Sequence, residues 1–133
     1  MRVRAVGLLV IAIALGGGAA SIAAHHAFAA QYDINKPIEL KGVVTKVEFL
    51  NPHIYFYVDA KNDSGTVVHW SVEGGTPNSL RRAGWGKDSL KVGDVVTISG
   101  SRAKDGTNLI AMHSLVLADG RKVLGSYGGV QTK

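Results

Sequence analysis

The sequence predicts an all-β domain, a small five-stranded barrel with one short helix, exported behind a cleavable signal peptide. Three observations predict it. Residues 38–124 break into short runs of alternating apolar and polar residues separated by Gly, Asn and Asp turns, the pattern of strands in a sandwich or barrel. A single helix signal, Thr76-Pro77 ahead of residues 78–83 and Gly84, falls between the third and fourth runs. The 133 residues include no cysteine, so burial and hydrogen bonding must hold an exported domain without disulfides.

The first segment has the three parts of a leader. Arg2 and Arg4 form a positive n-region, residues 5–15 are apolar without interruption, and residues 16–24 are mostly small. The apolar run is short for a bilayer, which needs about 20 apolar residues in a spanning helix. An uncleaved anchor over residues 5–24 is the alternative. No cysteine follows the apolar run, which excludes lipid attachment by the lipoprotein route. Cleavage after Ala23 or Ala24 is expected, with residues 1–24 as the signal and a periplasmic destination. The formal charge of +5 includes Arg2 and Arg4, so the mature chain is less basic, and its cations are spread along the sequence. Dedicated nucleic-acid binding, which concentrates basic residues on one face, is not expected. Nor is stable membrane insertion once the signal is removed.

Residues 25–37 are expected as an extended lead-in, with Phe28 and Tyr32 as anchors. Lys36-Pro37 opens the first strand, residues 38–50. Ile38, Leu40, Gly42 and Val44 stand on one face of it, and Val43, Thr45, Val47 and Phe49 on the other. A glycine inside a strand marks a bulge or bend, and a bent first strand can serve two halves of a small barrel. Asn51-Pro52 turns into the second strand, residues 53–60, with Ile54, Phe56 and Val58 opposed to His53, Tyr55, Tyr57 and Asp59. Residues 61–65 carry hairpin chemistry. The third strand, 66–73, alternates Val68, Trp70 and Val72 with Val67, His69 and Ser71.

Gly74-Gly75 breaks the sheet. Thr76 is placed as N-cap, Pro77 at the first helical position and Gly84 at the end of the helix, with Trp85 packing it onto the strands. Strands over 95–101 and 109–117 follow, divided by a turn at 104–108. A short edge strand over 121–124 and a frayed tail over 125–133 complete the chain. Three strands, a helix and two strands is the element order of the OB-fold, a partly open Greek-key barrel, here occupying residues 38–124.

The motifs now come together. Ala24-His25-His26-Ala27-Phe28, Tyr32-Asp33, Lys36-Pro37, Lys41-Gly42-Val43-Val44 and Asn51-Pro52-His53 precede Glu73-Gly74-Gly75-Thr76-Pro77-Asn78, Gly84-Trp85 and Asp88-Ser89-Leu90-Lys91-Val92-Gly93-Asp94. The chain resembles a bacterial exported family of unknown function, the one numbered 6152, over essentially its whole mature length. The resemblance implies export and a small β-barrel and supplies no activity. It also places the paired histidines at the start of the mature chain, which favours cleavage after Ala24. Where that family's pattern has Ser after the histidines, this chain has Ala27, so a hydroxyl there is not required.

Chemistry therefore has to be argued from residues. Cleavage after Ala24 gives His25 a free α-amine beside its imidazole, a chelate for one metal. The amine's pKa near 8 lets it lose its proton at modest cost when a metal binds. One further imidazole, from His53 or else His26, completes a three-nitrogen set suited to copper. Cleavage after Ala23 instead gives Ala24-His25-His26, whose amine, two amides and His26 imidazole can form a square-planar site for Cu(II) or Ni(II). The competing reading leaves both histidines solvated beside the cleavage point and gives His53 a turn hydrogen bond. His69 is expected on the less buried side and His113 as a satisfied wall residue.

Tyr55 and Tyr57 suggest a binding surface on the second strand, where OB-folds stack bases or sugars; the alternative is ordinary half-exposed strand tyrosine. Catalysis is not expected. Glu73 and Asp88 read as single loop carboxylates with no partner spacing for acid–base work, and no serine lies in a nucleophile motif. The sequence thus favours an exported, non-enzymatic copper carrier, with a module binding a periplasmic protein, peptide or glycan as the alternative.

Overall fold

The computed structural model describes residues 26–124. The expected leader, His25 and the expected tail from residue 125 onward lie outside them. The chain divides into two units, Met1–Ala30 and Gln31–Lys133. Of the first, residues 26–30 are described; they belong to a helical stretch, α1, over 26–31, in which Phe28 is buried and His26 exposed. The lead-in is therefore helical where an extended segment was expected, and strand begins at Tyr32. Among the described residues no helix is long and apolar enough to cross a membrane.

The second unit is mostly β. Its elements are β1 (Tyr32–Glu48), β2 (Tyr55–Lys61), β3 (Val67–Glu73), a helix α2 (Pro77–Arg82), β4 (Val95–Ala103), β5 (Leu109–Leu117) and β6 (Lys122–Leu124). They form one sheet in the order β3-β2-β1-β4-β5-β6, and β3 also pairs in parallel with β5. The single helix between β3 and β4 lies where Thr76-Pro77 placed it. The Thr76 side chain accepts from Ser79 N at 3.1 Å, and Gly84 ends the helix at φ +87°, a conformation that only glycine adopts without strain.

β1 is long because it serves two neighbours. Its first part pairs with β4 from Tyr32↔Ala103 to Val43↔Val95, and its last part pairs with β2 from Gly42↔Ala60 to Glu48↔Tyr55. Pro37 is tolerated because that stretch of β1 pairs with β4 alone. Only Gly42 and Val43 are paired on both sides. A Cβ at Gly42 would lie 2.5 Å from Asp59 O and 2.5 Å from Val58 Cγ1, so glycine is there for close approach. The bulge itself falls later, between Val44 and Lys46. The extra residue reverses the phase of the strand, so Val47 packs against the core beside Ile38 and Leu40. Alternation alone puts it on the opposite face.

The core lies between these strands and α2. Ile54, Phe56, Val58, Val72, Ile98, Ile110, Met112 and Leu115 are fully buried, joined by Leu80 of α2 and by Trp85 and Leu90 beyond it. Each large apolar side chain buried in this way contributes about 1.5–3 kcal/mol of transfer free energy. Trp85 packs as the sequence led one to expect.

Candidate functional site

Strand register brings the polar residues of two motifs together. Tyr55 lies directly opposite Glu73 on β2 and β3. The ladder continues past both strand ends, with Ile54 N donating to Gly75 O at 3.1 Å and Gly74 N donating to Ile54 O at 2.9 Å. A Cβ at Gly74 would lie 2.8 Å from Ile54 Cγ1, so the glycine lets the two segments close. Because side chains alternate along a strand, His53, Tyr55 and Glu73 share one face, opposite the core face of Ile54 and Val72.

Glu73 is the centre of this group. Its backbone is flanked on both sides, by β2 and by the parallel pairing with Ala111 of β5, and it is 3% exposed. Oε1 lies 2.7 Å from His53 Nδ1, and Oε2 accepts a hydrogen bond from the Tyr32 hydroxyl. Tyr32 stands at the start of β1, opposite Ala103. Across β4 and β5 the neighbouring positions are Ser101 and Ala111, both buried and small, which leaves room for the tyrosine and glutamate side chains to meet. Burial first, and then the charge of Glu73, push the Tyr55 phenol up to about 12. Near neutral pH Tyr55 is therefore a neutral donor, not a phenolate ligand.

Sequence reading missed Glu73 and Tyr32 as site residues. The sequence ends the third strand at Glu73 yet reads its carboxylate as a single loop group; the structure keeps Glu73 as the last residue of β3 and buries it, with the Tyr32 hydroxyl donating to one oxygen and His53 Nδ1 2.7 Å from the other. The signal that could have found it is a carboxylate that closes a strand directly before Gly-Gly-Thr-Pro.

The other expected site residues are placed as follows. His53 is partly exposed, at 25% of its side chain. His25 lies outside the described residues, and His26 is exposed on α1. Among the described residues no three His, Asp or Glu side chains are grouped so as to hold a metal ion. His69 is on the exposed side, with Nδ1 2.5 Å from Asp59 Oδ1. His113 is exposed on β5, its Nε2 3.2 Å from Ser101 Oγ.

Of the two tyrosines of the expected binding surface, Tyr57 has an internal partner: its hydroxyl donates to Glu48 Oε2 at 3.0 Å. Lys46 Nζ stands 5.3 Å from the Tyr57 ring centroid and pairs with Glu48. The Lys46 hydrogen bond, then that of Tyr57, holds the Glu48 carboxyl below its ordinary value of 4.5. This pairing stabilises the fold above the ordinary carboxylate range and is lost as pH falls through the depressed folded value. In an NMR titration the Glu48 midpoint should fall below 4.5. Lys46→Met should raise it, and an unchanged midpoint would remove the pairing.

Comparison with known proteins adds a family and no activity. A family model described as a family of unknown function (DUF6152) matches residues 12–122. No curated protein matches the chain.

Proposed function

Starting from a chain that belongs to the family of unknown function DUF6152, we propose that it is an exported copper-binding protein of the periplasm, a carrier or buffer rather than an enzyme. The strand order and the β3–β5 pairing support reading its second unit as an OB-like barrel. Copper is held at two points. One is the mature amino terminus, where His25 offers an α-amine and an imidazole, with His26 adjacent. The other is His53 on the barrel.

The observation that carries this reading is the 2.7 Å contact between His53 Nδ1 and the buried Glu73. Metal-ligating histidines almost always donate their second ring nitrogen to a carboxylate, carbonyl or water, and His53 has this partner already built into the sheet. The alternative, a binding module for a periplasmic protein, peptide or glycan on the strand face, draws less support because the hydroxyl of Tyr57 is committed to Glu48.

Copper titration of protein whose first residue has been fixed by intact mass tests the proposal. His25→Ala and His53→Ala should each weaken Cu(II) binding by about tenfold or more. Affinity unchanged by either substitution removes the copper reading.

A further inference from the structure

We propose that the cleft between the loop after α2 and the turn joining β5 to β6 binds a small organic carboxylate, about the size of benzoate. The cleft holds about 280 Å³, and its lining includes Trp85, Ser89, Leu117, Arg121 and Lys122. That volume corresponds to roughly nine waters. Drug-sized ligands need about 300–1,000 Å³, so the occupant here is a single ring or a short chain. The cleft lies wholly within the second unit and shares no residue with the copper-binding points.

The polar side chains of the lining are donors. Trp85 is 8% exposed, and its indole N–H, the one polar group of that side chain, meets no acceptor among the described residues. Among those residues no buried side-chain nitrogen or oxygen lacks a partner. The N–H therefore reaches solvent, and the cleft is the opening that Trp85 lines. Ser89 Oγ accepts from Gly86 N at 2.9 Å, which leaves its hydroxyl proton to give.

Arg121 and Lys122 supply the charge. A guanidinium carries five N–H groups, and Asp119 Oδ2 takes the one at Nε, at 2.6 Å. With Arg121 N donating to Asp119 Oδ1 at 2.9 Å, the side chain is held near its root. Both terminal nitrogens stay available for a bidentate contact with a carboxylate. Lys122, exposed at the start of β6, has no ion-pair partner among the described residues. No carboxylate lines the cleft, so a cationic ligand finds no anionic partner there. Leu117, 7% exposed, and the Trp85 ring give the floor an apolar patch, which a bare inorganic anion leaves uncovered. A carboxylate on an apolar body meets both.

Titration of the metal-free protein at constant ionic strength, followed by the indole ¹H–¹⁵N signals, tests the proposal. Benzoate should move the Trp85 signal saturably. It should bind about tenfold more tightly than acetate, which lacks the ring, or benzamide, which lacks the charge. Trp70, the other of the two tryptophans, stacks against the Arg102 guanidinium at 5.2 Å and does not line the cleft, so its signal is the internal control. Arg121→Ala and Lys122→Ala remove exposed side chains; each should weaken benzoate binding about three- to tenfold, with the fold checked by the amide spectrum. A Trp85 signal that does not move overturns the proposal. So does equal affinity for benzoate and acetate, or for benzoate and benzamide, or a benzoate affinity unchanged in both folded variants. If neither variant folds, the three probes on the wild-type protein decide alone.

Discussion

Glu73→Ala is expected to lower the unfolding free energy of the domain by about 3 kcal/mol, read by urea denaturation. Two losses add. The Tyr32 hydroxyl, in a residue 1% exposed, loses the carboxylate that accepts from it and has no bulk water in its place, at roughly 1–3 kcal/mol. His53 loses its charged partner, but with a quarter of its side chain exposed water can take over the N–H. The total therefore falls at the low end of the roughly 3–5 kcal/mol seen when one member of a buried pair is removed. Pairing Tyr32→Phe with Glu73→Leu should recover much of the loss, because the polar partners leave together. A Glu73→Ala protein as stable as wild type would mean that the Tyr32–Glu73–His53 bonds do not form.

Much of the architecture was legible because local chemistry and burial agree there. Thr76-Pro77 at the helix start, Gly84 at its end, the turns around Gly65 and Gly106, and strand β5 at residues 109–117 are all set by short-range signals. What was not legible depends on contacts distant in sequence. The start of β1 at Tyr32 is held by pairing with Ala103, 71 positions away and invisible to periodicity. The bulge after Val44 is chosen by the register against β2, so Gly42 drew attention to the right strand for the wrong reason. The site divides the same way. His53 could be singled out because histidine after Asn-Pro is conspicuous by itself. Glu73 could not, since its meaning comes from Tyr32, His53 and Ala111, each brought to it by a different strand. A carboxylate in a sequence looks solvated until the strands that bury it are known.

Gly42→Ala is the second substitution expected to act strongly, at about 3 kcal/mol of destabilisation. The added Cβ would meet Asp59 O at 2.5 Å, a backbone atom of β2. It would also meet Val58 Cγ1 at 2.5 Å, on a side chain with no exposure. Neither can yield cheaply. Moving Asp59 strains its pairing with Val43 and His69, and Val58 is packed on all sides. For a domain of this size the melting temperature should drop by roughly 15 °C. Gly86→Ala is the control, because a Cβ there has no atom within 4 Å and φ is not positive. It should be neutral or raise stability by about 0.4–1 kcal/mol through the unfolded chain. An unchanged melt for Gly42→Ala would mean that β1 does not pass between β2 and β4 at this residue.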